Sequence, residues 1–133
     1  MQSFRDAIEG ARTSGQADDV LTLLAEDVVF RSPVVHRPYA GRAAVEPLLR
    51  AVVKVFDEFN FRRHIGESDG TDHPHVFSAR IGKFHIEGCD FLHINAAGLI
   101  DEFYVMVRPL SGAMALAEAM QQQLALAESN AAA

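Results

Sequence analysis

Phe84-His85-Ile86-Glu87-Gly88-Cys89-Asp90-Phe91-Leu92-His93-Ile94 is the stretch on which the fold turns. Its residues alternate with a period of two, so one side of an extended strand carries Phe84, Ile86, Gly88, Asp90, Leu92 and Ile94. The other side carries His85, Glu87, Cys89, Phe91 and His93. The first set is apolar except for Asp90 and is expected to face a core or a pocket. The second set is mixed and, with Tyr104 and Met106 on the following strand, suits a subunit interface.

Working outward, the same period runs from Glu58 to Arg108, punctuated by turns at Gly66 to Pro74, Gly82-Lys83 and Asn95 to Gly98. This predicts strands at about 58–65, 75–81, 84–94 and 99–108, joined as antiparallel hairpins. On the N-terminal side, Asp27 to Ser32 is β-branched and aromatic up to Pro33 and predicts one more strand. The segment Val34 to Gly41 reads as an ordered loop. Phe4, Ala7, Ile8 and Ala11 stand at helical spacing and Gly15 closes that helix. Asp18 and Asp19 open a short second helix whose buried side is Val20, Leu21, Leu23 and Leu24. A third helix is expected from Arg42 to about Phe56, beginning near Ala44 so that Pro47 falls in its first turn. After Pro109, Ser111 is a candidate cap for a last helix whose Met114, Ala117, Met120 and Leu124 pack inward; residues 128–133 read as a frayed tail. Helices first, one strand, a helix and then a meander give an α+β domain, a curved antiparallel sheet packed on helices, spanning residues 1–127.

Composition narrows the function classes. A chain of 133 residues, 49% hydrophobic and 23% charged, is expected to form one globular domain. A net charge of −6 without a Lys/Arg cluster argues against nucleic acid or an anionic membrane as partner and favours a neutral or cationic small molecule. No apolar run approaches membrane-spanning length, so a cytoplasmic location is expected, and Cys89, the only cysteine, rules out an internal disulfide.

Leu24-Ala25-Glu26-Asp27-Val28-Val29-Phe30-Arg31-Ser32-Pro33, followed by Tyr39-Ala40-Gly41-Arg42-Ala43-Ala44-Val45, resembles the nuclear transport factor 2-like superfamily and its SnoaL-like branch. Residues Glu87 to Ile94 and Gly98 to Phe103 are similar to that superfamily's last hairpin. The resemblance implies a cone-shaped domain around one apolar pocket, a homodimer and no cofactor. It also implies a range of activities that includes ketosteroid isomerases, polyketide cyclases, epoxide hydrolases and dehydratases, among which fold does not decide. By that resemblance the isomerase base falls on Ser32 and the oxyanion-hole tyrosine on Ile8, so both groups are replaced. The neutral aspartic acid that donates to the enolate oxygen falls on Asp90 and is retained. The arginine and paired aspartates of limonene epoxide hydrolases have no counterparts.

Candidate site residues follow. Asp90 is the acid, because a carboxyl on an apolar face has a raised pKa unless it is paired; Arg63 is the internal partner it would pair with. His36, in the loop after the first strand, is the candidate base. Ser32, Phe30, Tyr39, Arg63 and Phe103 are candidate substrate contacts. His73 and His75 bracket Pro74 and are read with His85 and His93 as surface or interface residues rather than metal ligands. The chain is thus expected to hold an apolar small molecule, with isomerase, cyclase or lyase chemistry or simple binding as the functions, and a pure association module as the third alternative.

Overall fold

The computed structural model, which describes residues 2–67 and 69–132, builds ten elements in the order α1 (Gln2–Ser14), α2 (Asp18–Leu21), β1 (Leu24–Arg31), β2 (Tyr39–Ala40), α3 (Arg42–Val55), β3 (Asp57–His64), β4 (Asp72–Ile81), β5 (Phe84–Ile94), β6 (Ile100–Arg108) and α4 (Leu110–Ala132). The strands form one unclosed six-stranded sheet in the order β2-β1-β6-β5-β4-β3. The meander β3 to β6 is antiparallel as its short turns require, but β1 joins it alongside β6 in parallel, with Phe30 opposite Phe103.

Local chemistry explains most boundaries. Gly15 takes φ +74° and its N–H donates to the Ala11 carbonyl, closing α1 as a left-handed C-terminal residue. The second helix stops at Leu21, and Leu23 and Leu24, read as its buried side, lead instead into β1. The Ile100 N–H donates to the Leu23 carbonyl there, so a tertiary ladder outbids one more helical turn. Tyr39–Ala40, expected as loop, pairs with Val29 and Phe30 as an edge strand. The third helix starts at Arg42 directly after Gly41 and holds Pro47 in its second turn. The last helix starts at Leu110, ahead of Ser111. It continues through Ala132; Ala133, like Met1 and Ser68, lies outside the described residues.

The segment His73-Pro74-His75 is strand, not turn. His64, the last residue of β3, pairs with His75, so Pro74 stands where the ladder on that side runs out, and proline is tolerated there. On β4 the inward set is His73, His75, Phe77, Ala79 and Ile81, all buried. This corrects the reading of His73 and His75 as surface residues.

The concave face of the sheet packs on the helices. One cluster joins Phe4, Leu24, Val28, Val45, Leu49, Leu92, Ile100 and Phe103, and a second joins Val55, Phe59, Phe77, Ile86 and Leu116. Two glycines leave room that a side chain would fill, Gly88 for the ring of its cross-strand neighbour Phe77 and Gly112 for the contact of α4 with β5. A Cβ at Gly88 would stand 2.4 Å from the Phe77 ring, and one at Gly112 would stand 2.3 Å from the Ile86 side chain, so α4 lies against β5 at glycine distance. Among the described residues no helix is long and apolar enough to cross a membrane.

Candidate functional site

Between sheet and helices lies a cavity of about 380 Å³. The walls come from every layer: Ile8 and Arg12 of α1, Phe30 and Ser32 near the end of β1, Leu48, Leu49, Val52, Val53 and Phe56 of α3 and its end, Phe59 of β3, Phe103 and Val105 of β6, and Leu116, Met120 and Leu124 of α4. Pro33, Val34, Val35 and Tyr39 form its rim.

Asp90 is the acidic residue of this lining. It stands in mid-β5 between His75 on β4 and Val105 on β6, points inward with Ile86 and Leu92, and is only 7% exposed. Its carboxyl has no hydrogen-bond or ion-pair partner among the described residues. Burial alone pushes its pKa up to about 8, so the neutral acid is the dominant form at neutral pH. A protonated carboxyl facing an apolar cavity is a hydrogen-bond donor aimed at whatever enters.

The other expected residues divide. Phe30, Ser32, Tyr39 and Phe103 line the cavity with Asp90. Ser32 Oγ accepts the Val34 N–H at 3.1 Å, so the hydroxyl shapes the rim loop and has no base beside it. His36 is exposed and does not line the cavity. It lies in a shallower depression beyond the rim, with Arg31, Tyr104 and Met106, because the loop after β1 turns its side chain to the outer face of the sheet. Arg63 is likewise exposed and lines no described cavity. A register shift in β3 between Phe61 and Arg63 turns it outward, so it does not pair with Asp90.

Two features were not read from the sequence. Arg12 lines the cavity from the last turn of α1, its guanidinium 5.5 Å from the centre of the Phe59 ring and donating to the Phe59 carbonyl. The available signal was its place four residues after Ile8, on the buried side of the helix.

The second feature is a histidine cluster behind the cavity. His73 Nε2 lies 2.7 Å from the Gly70 carbonyl and therefore carries the proton, which leaves Nδ1 to accept from His64 Nε2 at 2.8 Å. The His64 ring stacks on His75, centroids 4.4 Å apart, and His75 Nδ1 donates to the His73 carbonyl. His75 Nε2 is buried without a partner, and burial, reinforced by His64, lowers the His75 pKa to about 4. Among the described residues no three His, Cys, Asp or Glu side chains are disposed to hold a metal ion.

The sequence profile of the SnoaL-like domain matches residues 4–103. The chain belongs to the SnoaL-like family. No curated protein matches this SnoaL-like chain. Among solved structures it is similar to a steroid delta-isomerase from Pseudomonas aeruginosa, with 37% identity over 99% of this chain and 94% of that one, at a TM-score of 0.86. It is also similar to an uncharacterised bacterial protein with a cystatin-like fold from Silicibacter pomeroyi DSS-3, at 33% identity, 92% and 86% coverage and a TM-score of 0.82. The epoxide hydrolase/cyclase-like enzyme SalBIII shares the fold at 18% identity, 84% and 88% coverage and a TM-score of 0.63.

Proposed function

We propose that this SnoaL-like protein binds an apolar carbonyl compound in its cavity and that Asp90, as a neutral acid, donates a hydrogen bond to the carbonyl oxygen. The observation that carries the reading is a single carboxyl, unpaired and nine-tenths buried, on the wall of a largely apolar cavity large enough for a small multi-ring molecule. Polarising a carbonyl lowers the barrier to removing a neighbouring proton, the first step of isomerase, cyclase and dehydratase chemistry. In that step the Asp90 O–H proton passes to the carbonyl oxygen while the other Asp90 oxygen takes the neighbouring C–H proton, which gives the enol and leaves the carboxyl neutral for the return step; a carboxyl that titrates near pH 8 suits both transfers. Similarity to the Pseudomonas aeruginosa steroid delta-isomerase supports a double-bond isomerisation on a fused-ring ketone as the first reaction to assay.

The test combines turnover of a β,γ-unsaturated cyclic ketone with its binding as a function of pH. Wild type should turn the ketone over, and its affinity should fall as pH rises through about 8, where Asp90 loses its proton. Asp90→Asn, which still donates, should keep binding, lose that pH dependence and lose turnover by at least about 100-fold. Binding that ignores both pH and the Asn variant would overturn the role of Asp90.

A second reading is non-catalytic binding. Its support is Ser32 at the position where the resembled isomerases carry their base, and it is distinguished by tight pH-dependent binding without turnover in the wild type. For assembly we propose a homodimer through the outer face of the sheet, where Phe91 and Met106 are 39% and 51% exposed beside Cys89 and Tyr104.

A further inference from the structure

The polar side chains of the cavity are few, Arg12, Ser32, Tyr39, Asp90 and Gln121, and its carboxyl and its guanidinium differ in kind. Asp90 is unpaired on β5. On α1, Arg12 reaches across the Phe59 ring, donates through Nη1 to the Phe59 carbonyl, and holds Nε buried with no partner. No carboxylate stands within ion-pair distance of Arg12 among the described residues, whereas Arg31, Arg42, Arg50, Arg80 and Arg108 all have one. A guanidinium carries its charge throughout the working pH range, and with Nη1 on the Phe59 carbonyl and Nε covered, Nη2 is the donor left to meet a carboxylate. Arg12 also borders a groove on the far side of Phe59, lined by Glu9, Thr13 and Asn60, so it stands in the wall between cavity and solvent.

We propose that Arg12 makes the cavity selective for apolar carbonyl compounds that also carry a carboxylate, the anionic end meeting the guanidinium while the carbonyl meets Asp90. The inference rests on the binding role given above to Asp90 and adds the substrate class. Net charge argues the other way, since −6 on the whole chain repels anions. Exposed charges farther off than about 8 Å are largely screened at physiological salt, however, while a cation in the wall of an apolar cavity is screened much less. The local charge therefore decides.

Calorimetry at pH 7 with a matched pair of probes tests it, using 2-acetylnaphthalene and 6-acetyl-2-naphthoic acid on the full chain. The acid is expected to bind at least tenfold more tightly than the ketone, and added salt to weaken the acid alone. Arg12→Gln should bring the ratio to about one, and Arg12→Lys should retain part of the preference. A purely structural Arg12, lost with its bond to Phe59, would weaken both probes together and leave the ratio intact, which overturns the inference. Equal binding of both probes to wild type overturns it as well but leaves the Asp90 reading standing. Binding of neither probe overturns both.

Discussion

Asp90 and His75 face each other across β4 and β5, and burial moves both in the direction that removes charge. Their consequences for stability are opposite in sign. Asp90 holds its proton in the folded chain up to about pH 8 but loses it near 3.8 when unfolded, so its contribution falls as pH rises between those values. His75 stays neutral in the folded chain down to about pH 4 but is protonated below 6.5 when unfolded, so its contribution falls as pH drops through that window. Urea midpoints across pH 4 to 8.5 separate the two. Asp90→Asn is expected to remove the decline above pH 6.5 and expose a rise from pH 4 to 6.5. His75→Phe should do the converse, each effect on the order of 1 to 3 kcal/mol. A midpoint of Asp90→Asn that parallels wild type across the whole range would mean that the carboxyl is solvated after all.

At the scale of elements, two glycines make room, Gly88 for the Phe77 ring lying across β5 and Gly112 for α4 against β5, and magnitudes rank them. At Gly88 an added methyl would meet the Phe77 ring at 2.4 Å and the Met106 carbonyl at 2.7 Å, a buried ring and a ladder backbone that have little room to yield. Gly88→Ala is expected to destabilise by about 1 to 3 kcal/mol. At Gly112 the close atom is the branch methyl Cγ2 of buried Ile86, which a turn about χ1 can move whereas a ladder carbonyl cannot, and alanine returns roughly 1 kcal/mol of helix propensity, so Gly112→Ala should cost less. Denaturant midpoints of the two variants check the order, and the reverse order would show that α4 rather than β5 is the rigid partner. The elements most legible in the sequence were those with unbroken periodicity, β5 above all. Leu24 in β1 and His73-Pro74-His75 in β4 were not legible, because a partner strand decided them: Ile100 captures the Leu23 carbonyl, and the end of the β3 ladder accommodates Pro74.

For the whole molecule, the outer face of the sheet mixes apolar Phe91 and Met106 with the ion pairs His93–Asp101, at 2.6 Å, and Arg108–Glu87. If that face is the dimer interface, sedimentation should give twice the 14.6 kDa chain mass, and Met106→Asp should return a folded monomer. A wild-type monomer at tens of micromolar would remove the interface. Sequence by itself determined the α+β class, the SnoaL-like family, the inward side of β5 and the presence of one carboxyl on it. Those follow from a two-residue period and from local turn chemistry, which neighbouring residues carry. Only tertiary structure decided which side chains share the cavity with Asp90. His36 and Arg63 are turned away by a loop and a register shift, and Arg12, 78 positions before Asp90 in the chain, is brought onto the cavity wall by the packing of α1 against Phe59 and Phe61 of β3. Such a meeting depends on how layers stack, and no periodicity along the chain encodes it.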